Sequence, residues 1–175
     1  IIDRNRNNII DDDDRDFVGQ TTPQFFGSFS NTFKSHGFDL TIFLTYAGGH
    51  KIYNPFAYLD SYSPSANMSP DYYHNYWTPE RPSNKYPRLG STNSQLYETD
   101  GMYQKGDYIR LKNLELGYTL PRNIANKVYA SNIRVYASVQ NLVTFTKYTG
   151  FDVETSNANP YPACRVFMGG LTVNF

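Results

Sequence analysis

The stretch Arg165–Phe175, RVFMGGLTVNF, decides how this chain is read. Counting back from Phe175 by twos gives Val173, Leu171, Gly169 and Phe167, and the interleaved positions are Asn174, Thr172, Gly170 and Met168. One series is apolar and the other small or polar. A period of two is the strand signature, because successive side chains leave a pleated backbone on opposite sides. Chain ends usually fray, so a strand still in step at its last residue needs a neighbour to hold it.

Four earlier segments carry the same period. QFFGSFSNTF sets Phe25, Phe29 and Phe33 on one face, against Ser28, Ser30 and Thr32. GFDLTIFLTY sets Phe38, Leu40, Ile42, Leu44 and Tyr46 against Asp39, Thr41 and Thr45. The turn KSHG joins these two as a hairpin. In YIRLKNLELGYTL the residues Leu114, Leu116, Tyr118 and Leu120 share a phase that Ile109 and Leu111 break, which predicts a bulge near Lys112 and Asn113 or a strand end that has left the membrane. PRNIANKVYASN reads as one or two helical turns. IRVYASVQNLVTF then sets Ile133, Val135, Ala137, Val139, Val143 and Phe145 against Arg134, Tyr136, Ser138 and Gln140.

Connection lengths alternate. The organisation reads as an acidic loop over 1–24, a strand hairpin over 25–46, a long loop over 47–107, a strand pair with a short helical turn over 108–145, a second polar loop over 146–164, and a closing strand over 165–175. Short turns on one side and long loops on the other is the asymmetry of an outer-membrane barrel. An antiparallel sandwich with one solvated face shows the same alternation and stands as the alternative, a soluble or surface carbohydrate-binding domain with a calcium-stiffened loop. Five strands cannot close a transmembrane barrel, which takes about eight at least. Open edges in lipid would leave backbone groups without partners. The fold expectation is therefore all-β, the C-terminal arc of a much larger barrel. The start at Ile1, with neither an initiator Met nor a leader, fits a piece of a longer chain or a processed product.

Composition agrees. Aromatics are 17% of residues and charged groups only 18%, while hydropathy shows no run of about 18 apolar residues, so no helix spans a bilayer. Sixteen basic against sixteen acidic residues give no basic excess, and nucleic acid is set aside as a partner. The single cysteine, Cys164, forms no internal disulfide and reads as an inert thiol.

Several stretches resemble one family. YIRLKNLELGYTLPRNI, IRVYASVQNLVTFTKYTGFDVE and the final strand, together with DRNRNNIIDDDDRDFVG, GGHKIYN and YWTPERPSNKYPRL, resemble in order the C-terminal end of the SusC/RagA family of TonB-dependent outer-membrane transporters. The resemblance implies an about 22-stranded barrel that imports oligosaccharides or peptides across the outer membrane of a Gram-negative bacterium of the Bacteroidetes. It also implies a SusD-like surface lipoprotein as lid, and TonB acting through a plug outside this sequence. On the same resemblance, Phe175 is the signal read by the barrel-assembly machinery.

Candidate sites are few. Asp3 to Asp14, DRNRNNIIDDDD, has the spacing of a calcium loop, with Asp3, Asn5, Asn7, Ile9 through its carbonyl, Asp11 and Asp14 at the ligand positions. Ile10 fills the apolar eighth position, and Asn8 the sixth, where a left-handed residue is required. Asn at two ligand positions lowers the charge, and Asp14 is shorter than the usual Glu. A solvated acidic turn is the competing reading, and a dockerin-like module lacks its second repeat. Tyr72, Tyr73, Tyr76 and Trp77 offer aromatic faces for substrate or for the lid, or a packed loop core. His36, His50 and His74 show no metal spacing. No catalytic constellation is visible, neither G-x-S-x-G, H-E-x-x-H nor a P-loop.

Overall fold

The computed structural model describes residues 3–9, 11–54, 70–89, 99–155 and 161–175. The five predicted strands form a single antiparallel sheet. They are β1 (Phe25–Ser35), β2 (Phe38–Gly48), β7 (Tyr108–Thr119), β8 (Asn132–Thr146) and β9 (Val166–Asn174), hydrogen-bonded in that order. Between β2 and β7 lie four short strands, β3 (Lys51–Tyr53), β4 (Tyr76–Trp77), β5 (Tyr86–Arg88) and β6 (Tyr103–Lys105). The expectation of a patternless loop over 47–107 is corrected here: β3 pairs with β6 and β4 with β5. Strands of two or three residues are too short for a period to register in sequence.

Local chemistry sets the connections. β1 and β2 are joined by His36 and Gly37 with φ of 50° and 85°, the two positive angles a type I′ turn requires. The chain kinks again at Gly49 (φ 77°), where Asp107 Oδ1 accepts its N–H at 2.7 Å, and the β2–β7 ladder resumes as β3–β6. The predicted helical turns appear as Arg122–Ala125 followed by a 3-10 turn over Asn126–Val128.

The predicted bulge is present, and it answers the phase break. Phe43 faces Asn113 while Leu44 faces Leu111, so Lys112 is the extra residue on β7. β8 is in turn one residue longer than β7, where Asn141 (φ 53°) lies between Gln140 and Val143. The Lys112 bulge returns Ile109 and Leu111 to the face that carries Leu114, and the longer β8 keeps Val143 and Phe145 opposite them on the face of Val139.

This apolar face is uncovered. Phe29 is 53% exposed, Leu116 50%, Val135 48% and Leu171 63%. The large buried apolar side chains among the described residues lie instead in the connecting regions: Ile52, Tyr148 and Val153 pack together beside Tyr108, and Tyr72 and Met102 are also buried. In a sandwich a second layer would bury Leu40, Ile42, Val135, Val139, Leu171 and Val173. Among the described residues no such layer exists, and the sandwich expectation fails on that point. Among the described residues, β1 and β9 each pair with a single neighbour.

Candidate functional site

The alternation that exposes the apolar face builds a polar one behind it. It carries Ser28, Ser30 and Thr32 from β1, Asp39, Thr41 and Thr45 from β2, Arg110 and Glu115 from β7, and Arg134, Tyr136 and Ser138 from β8. The Thr32 and Thr41 hydroxyls lie 3.0 Å apart across the hairpin.

At the turn end, Arg134 ties three strands. Its Nε donates to Asp39 Oδ1 at 3.0 Å, and its Nη2 to Glu115 Oε1 at 2.7 Å and also to Asp39 Oδ2. The guanidinium lies 5.2 Å from the centre of the Tyr136 ring. Glycine makes room for both side chains. A Cβ on Gly117 would sit 2.3 Å from Arg134 Nη2, and one on Gly170 would sit 2.3 Å from the Tyr136 ring. Arg134, Asp39 and Glu115, with Lys34, His36 and Thr119, line a concavity of about 620 Å³.

At the opposite end Arg110 binds the loop that follows β8. Its Nη2 donates to Asp152 Oδ1 at 2.7 Å, its Nη1 to Glu154 Oε2 at 2.5 Å, and its Nε to Thr144 Oγ1 at 2.8 Å. The bulge aims Lys112 at the same carboxylate, with Nζ 2.9 Å from Glu154 Oε2. Burial alone pushes the Asp152 carboxyl up. The Arg110 hydrogen bond and the N–H groups of Glu154 and Ala163 outweigh it together and hold the group below the usual carboxylate range. Thr149 joins the loop to the β3–β6 ribbon, its N–H donating to Gln104 Oε1 at 2.9 Å.

The acidic loop closes on itself. Asp3 Oδ1 accepts from the N–H of Arg6 at 2.6 Å and Oδ2 from that of Asn8 at 2.7 Å, while Asp14 Oδ1 accepts from Arg4 N–H at 2.7 Å and Oδ2 from Asp11 N–H at 3.1 Å. Asn5 and Asn7 cap Asn7 and Ile9 in the same way. Asn8 has φ of 65°. Ile10 lies outside the described residues. The Arg4 and Asp11 backbone N–H groups lower the Asp14 carboxyl. Among the described residues no three His, Cys, Asp or Glu side chains converge to hold a metal ion.

The aromatic stretch splits. Tyr72 is 1% exposed, packs edge-on against Tyr86 with centroids 5.0 Å apart, and donates its hydroxyl to Pro87 O at 3.3 Å. Tyr73 remains exposed, and Tyr76 and Trp77 are half-buried, with Arg81 5.5 Å from the Tyr76 ring centre. Asp71 anchors the cluster by accepting from Lys85 Nζ and Tyr86 Oη, each at 2.6 Å. Burial, with the Asp71 hydrogen bond, pushes the Tyr86 hydroxyl up to about 12. Phe175 lies one residue past β9 and is exposed. His50 is buried, with no partner for Nδ1 among the described residues, and His36 bonds Ser35 Oγ through Nδ1 at 2.8 Å.

Sequence reasoning missed the roles of Arg110, Arg134, Asp152 and Glu154. Arg110, Glu115 and Arg134 each interrupt an apolar strand, a usable sign of an inward-facing charge, but their partners lie 19 to 95 residues away.

No protein-family model matches the chain. It is 34% identical over 177 residues, 93% of its length, to a TonB-dependent receptor of Formosa agariphila, and 28% identical over 178 residues, 99% of its length, to the TonB-dependent receptor SusC of Bacteroides thetaiotaomicron; it spans 17% of each. Among solved structures it superimposes on the RagAB peptide importer in its open-open state with a TM-score of 0.75 at 29% identity, covering 89% of this chain and 17% of that one. A further RagAB peptide transporter structure gives 0.77 at 28% identity over 91% of this chain and 18% of that one.

Proposed function

The chain is a segment of a SusC/RagA-like TonB-dependent transporter, and on that premise we propose that it forms the C-terminal arc of a closed outer-membrane barrel that imports nutrients without catalysing a reaction. One observation carries the reading: the five-stranded sheet turns an uncovered apolar face one way and a face of hydroxyls and paired charges the other. Lipid tails satisfy the first, and a water-filled passage suits the second. The unpaired edges of β1 and β9 close against further strands of the same barrel, because unpaired backbone groups do not persist in hydrocarbon.

The cargo class is oligosaccharide or peptide, and the similarity to a peptide importer supports the second. Tyr73, Tyr76 and Trp77 meet substrate or a SusD-like lipoprotein lid; Tyr72 packs beneath them. TonB supplies energy through the plug, and the assembly machinery reads Phe175. The Asp3–Asp14 loop takes a calcium ion that stiffens it. The left-handed Asn8 and the fold-back of Asp14 onto Arg4 support this, and the ion would draw the Asp3, Asp11 and Asp14 carboxylates together.

The test is membrane fractionation of the full-length protein with mass and partner analysis. A detergent-dependent species several times heavier than this segment, co-purifying with a lipoprotein, is expected. A buffer-soluble protein of about 20 kDa overturns the reading. For the loop, terbium luminescence that calcium displaces in the parent and that Asp14→Ala abolishes is expected; no luminescence in the parent overturns the calcium assignment.

A further inference from the structure

We infer that residues 147–155 form a fixed inward fold of the loop after β8, latched by Arg110, that sets the largest solute the passage mouth admits. The inference rests on the barrel reading above and assigns a role that similarity to transporters does not supply.

The direction of the fold follows from the faces of the sheet. Arg110 stands in the cross-strand row of Ser28, Thr45 and Thr144, on the polar face, opposite to Ile109 and Leu111. The side chains of Asp152, Glu154 and Thr149 reach this face or the ribbon above it: Asp152 and Glu154 to Arg110, Glu154 to Tyr108 Oη at 3.1 Å, and Thr149 to Gln104. A loop bound to the lumen face occupies lumen space. It is also anchored apolarly, since Tyr148 and Val153 pack on Ile52. Arg110 and Asp152 are 4% and 3% exposed in their side chains, so the latch is water-excluded, where removing one partner strands the other's charge. A solvated, adjustable loop would not place an ion pair at that depth.

The bulge belongs to the same device. In unbroken alternation Lys112 would share the phase of Leu114 and Leu116 and point at lipid. With the bulge, the ammonium reaches Glu154 and neutralises the second carboxylate of the latch.

The test uses the full-length transporter on intact cells, with native cysteines replaced, including the exposed Cys164, and a reporter cysteine at Ser28→Cys on the polar face. Labelling rates are compared for a small charged maleimide and a long polyethylene-glycol maleimide. The parent is expected to react readily with the small reagent and slowly with the long one. Arg110→Met should raise the long-reagent rate several-fold and leave the small-reagent rate unchanged. Asp152→Asn, which keeps the side-chain shape, should shift the ratio in the same direction and serves if Arg110→Met does not assemble. An unchanged ratio in the assembled variants overturns the filter. A Leu171→Cys control that reacts with the small reagent as fast as Ser28→Cys overturns the barrel reading as well, which separates the two failures.

Discussion

Arg134 reaches across the full width of β7 to bind Asp39, a residue 95 positions earlier, with Nε 3.0 Å from Oδ1. The guanidinium passes directly over Gly117, which pairs with Asp39 on one side and Tyr136 on the other. Gly117→Ala puts a methyl at 2.3 Å from Nη2, so either the arginine leaves its carboxylates or the strands part. A loss of about 1–3 kcal/mol is expected, the usual range for overpacking. Heat-modifiable gel mobility of the full-length barrel reads it as a lower transition temperature, and a variant as heat-stable as the parent contradicts it.

Removal of the Arg110 cation leaves Asp152 buried without its counter-ion. Breaking a buried pair from one side costs about 3–5 kcal/mol. The cost should appear locally, because the Glu154 and Ala163 N–H groups donate to Asp152. Hydrogen exchange at those two amides is expected to accelerate by about two to three orders of magnitude in Arg110→Met, while amides in the β1–β2 ladder keep their protection. Equal acceleration in both places would mean that the whole sheet, and not the loop, had loosened.

The pH dependence of the same loop has a definite sign. Burial raises the Asp152 carboxyl, but Arg110 and the two backbone donors outweigh it, and the folded value lies below the unfolded one of about 3.9. A depressed carboxylate contributes its stability above the unfolded pKa and loses it as pH falls through the folded value. Protection at Ala163 should therefore hold from neutral pH to about 5 and fall only below about 4. Loss of protection near pH 6 would assign control of the loop to another group.

Residue types explain why some of this was legible in advance. The strands are long enough for a two-residue period to register, and the lone departure, Leu111 against Leu114, located the bulge. The loop ribbons were invisible because β3 and β6 have three residues each. The latch was invisible for another reason. Arg110 and Asp152 are 42 residues apart, and neither the strand period nor a local motif says which acid in a polar loop turns back onto the wall. Tyr72 and Tyr73 are adjacent and chemically identical, yet only packing against Tyr86 decides that the first is buried.

The barrel reading makes its sharpest claim on β9, where neighbouring positions should answer differently to one substitution. Leu171 pairs with Val135 on the apolar face, and Met168 pairs with Ser138 on the polar one. Leu171→Arg pushes a guanidinium towards hydrocarbon, a change that costs about 2–4 kcal/mol at the bilayer centre and less towards the turn side, where Leu171 lies level with Tyr118 and Phe38. Met168→Arg puts the same group into an aqueous passage beside Glu115, on the row that Ser138 and Thr41 share, and should be tolerated. The expected outcome is a marked drop in folded, surface-exposed protein for Leu171→Arg and near-parental amounts for Met168→Arg, scored by heat-modifiable mobility in outer-membrane fractions. The reverse order would place lipid on the polar face, which the paired charges of Arg134, Asp39 and Glu115 make untenable, and so would remove the membrane assignment altogether.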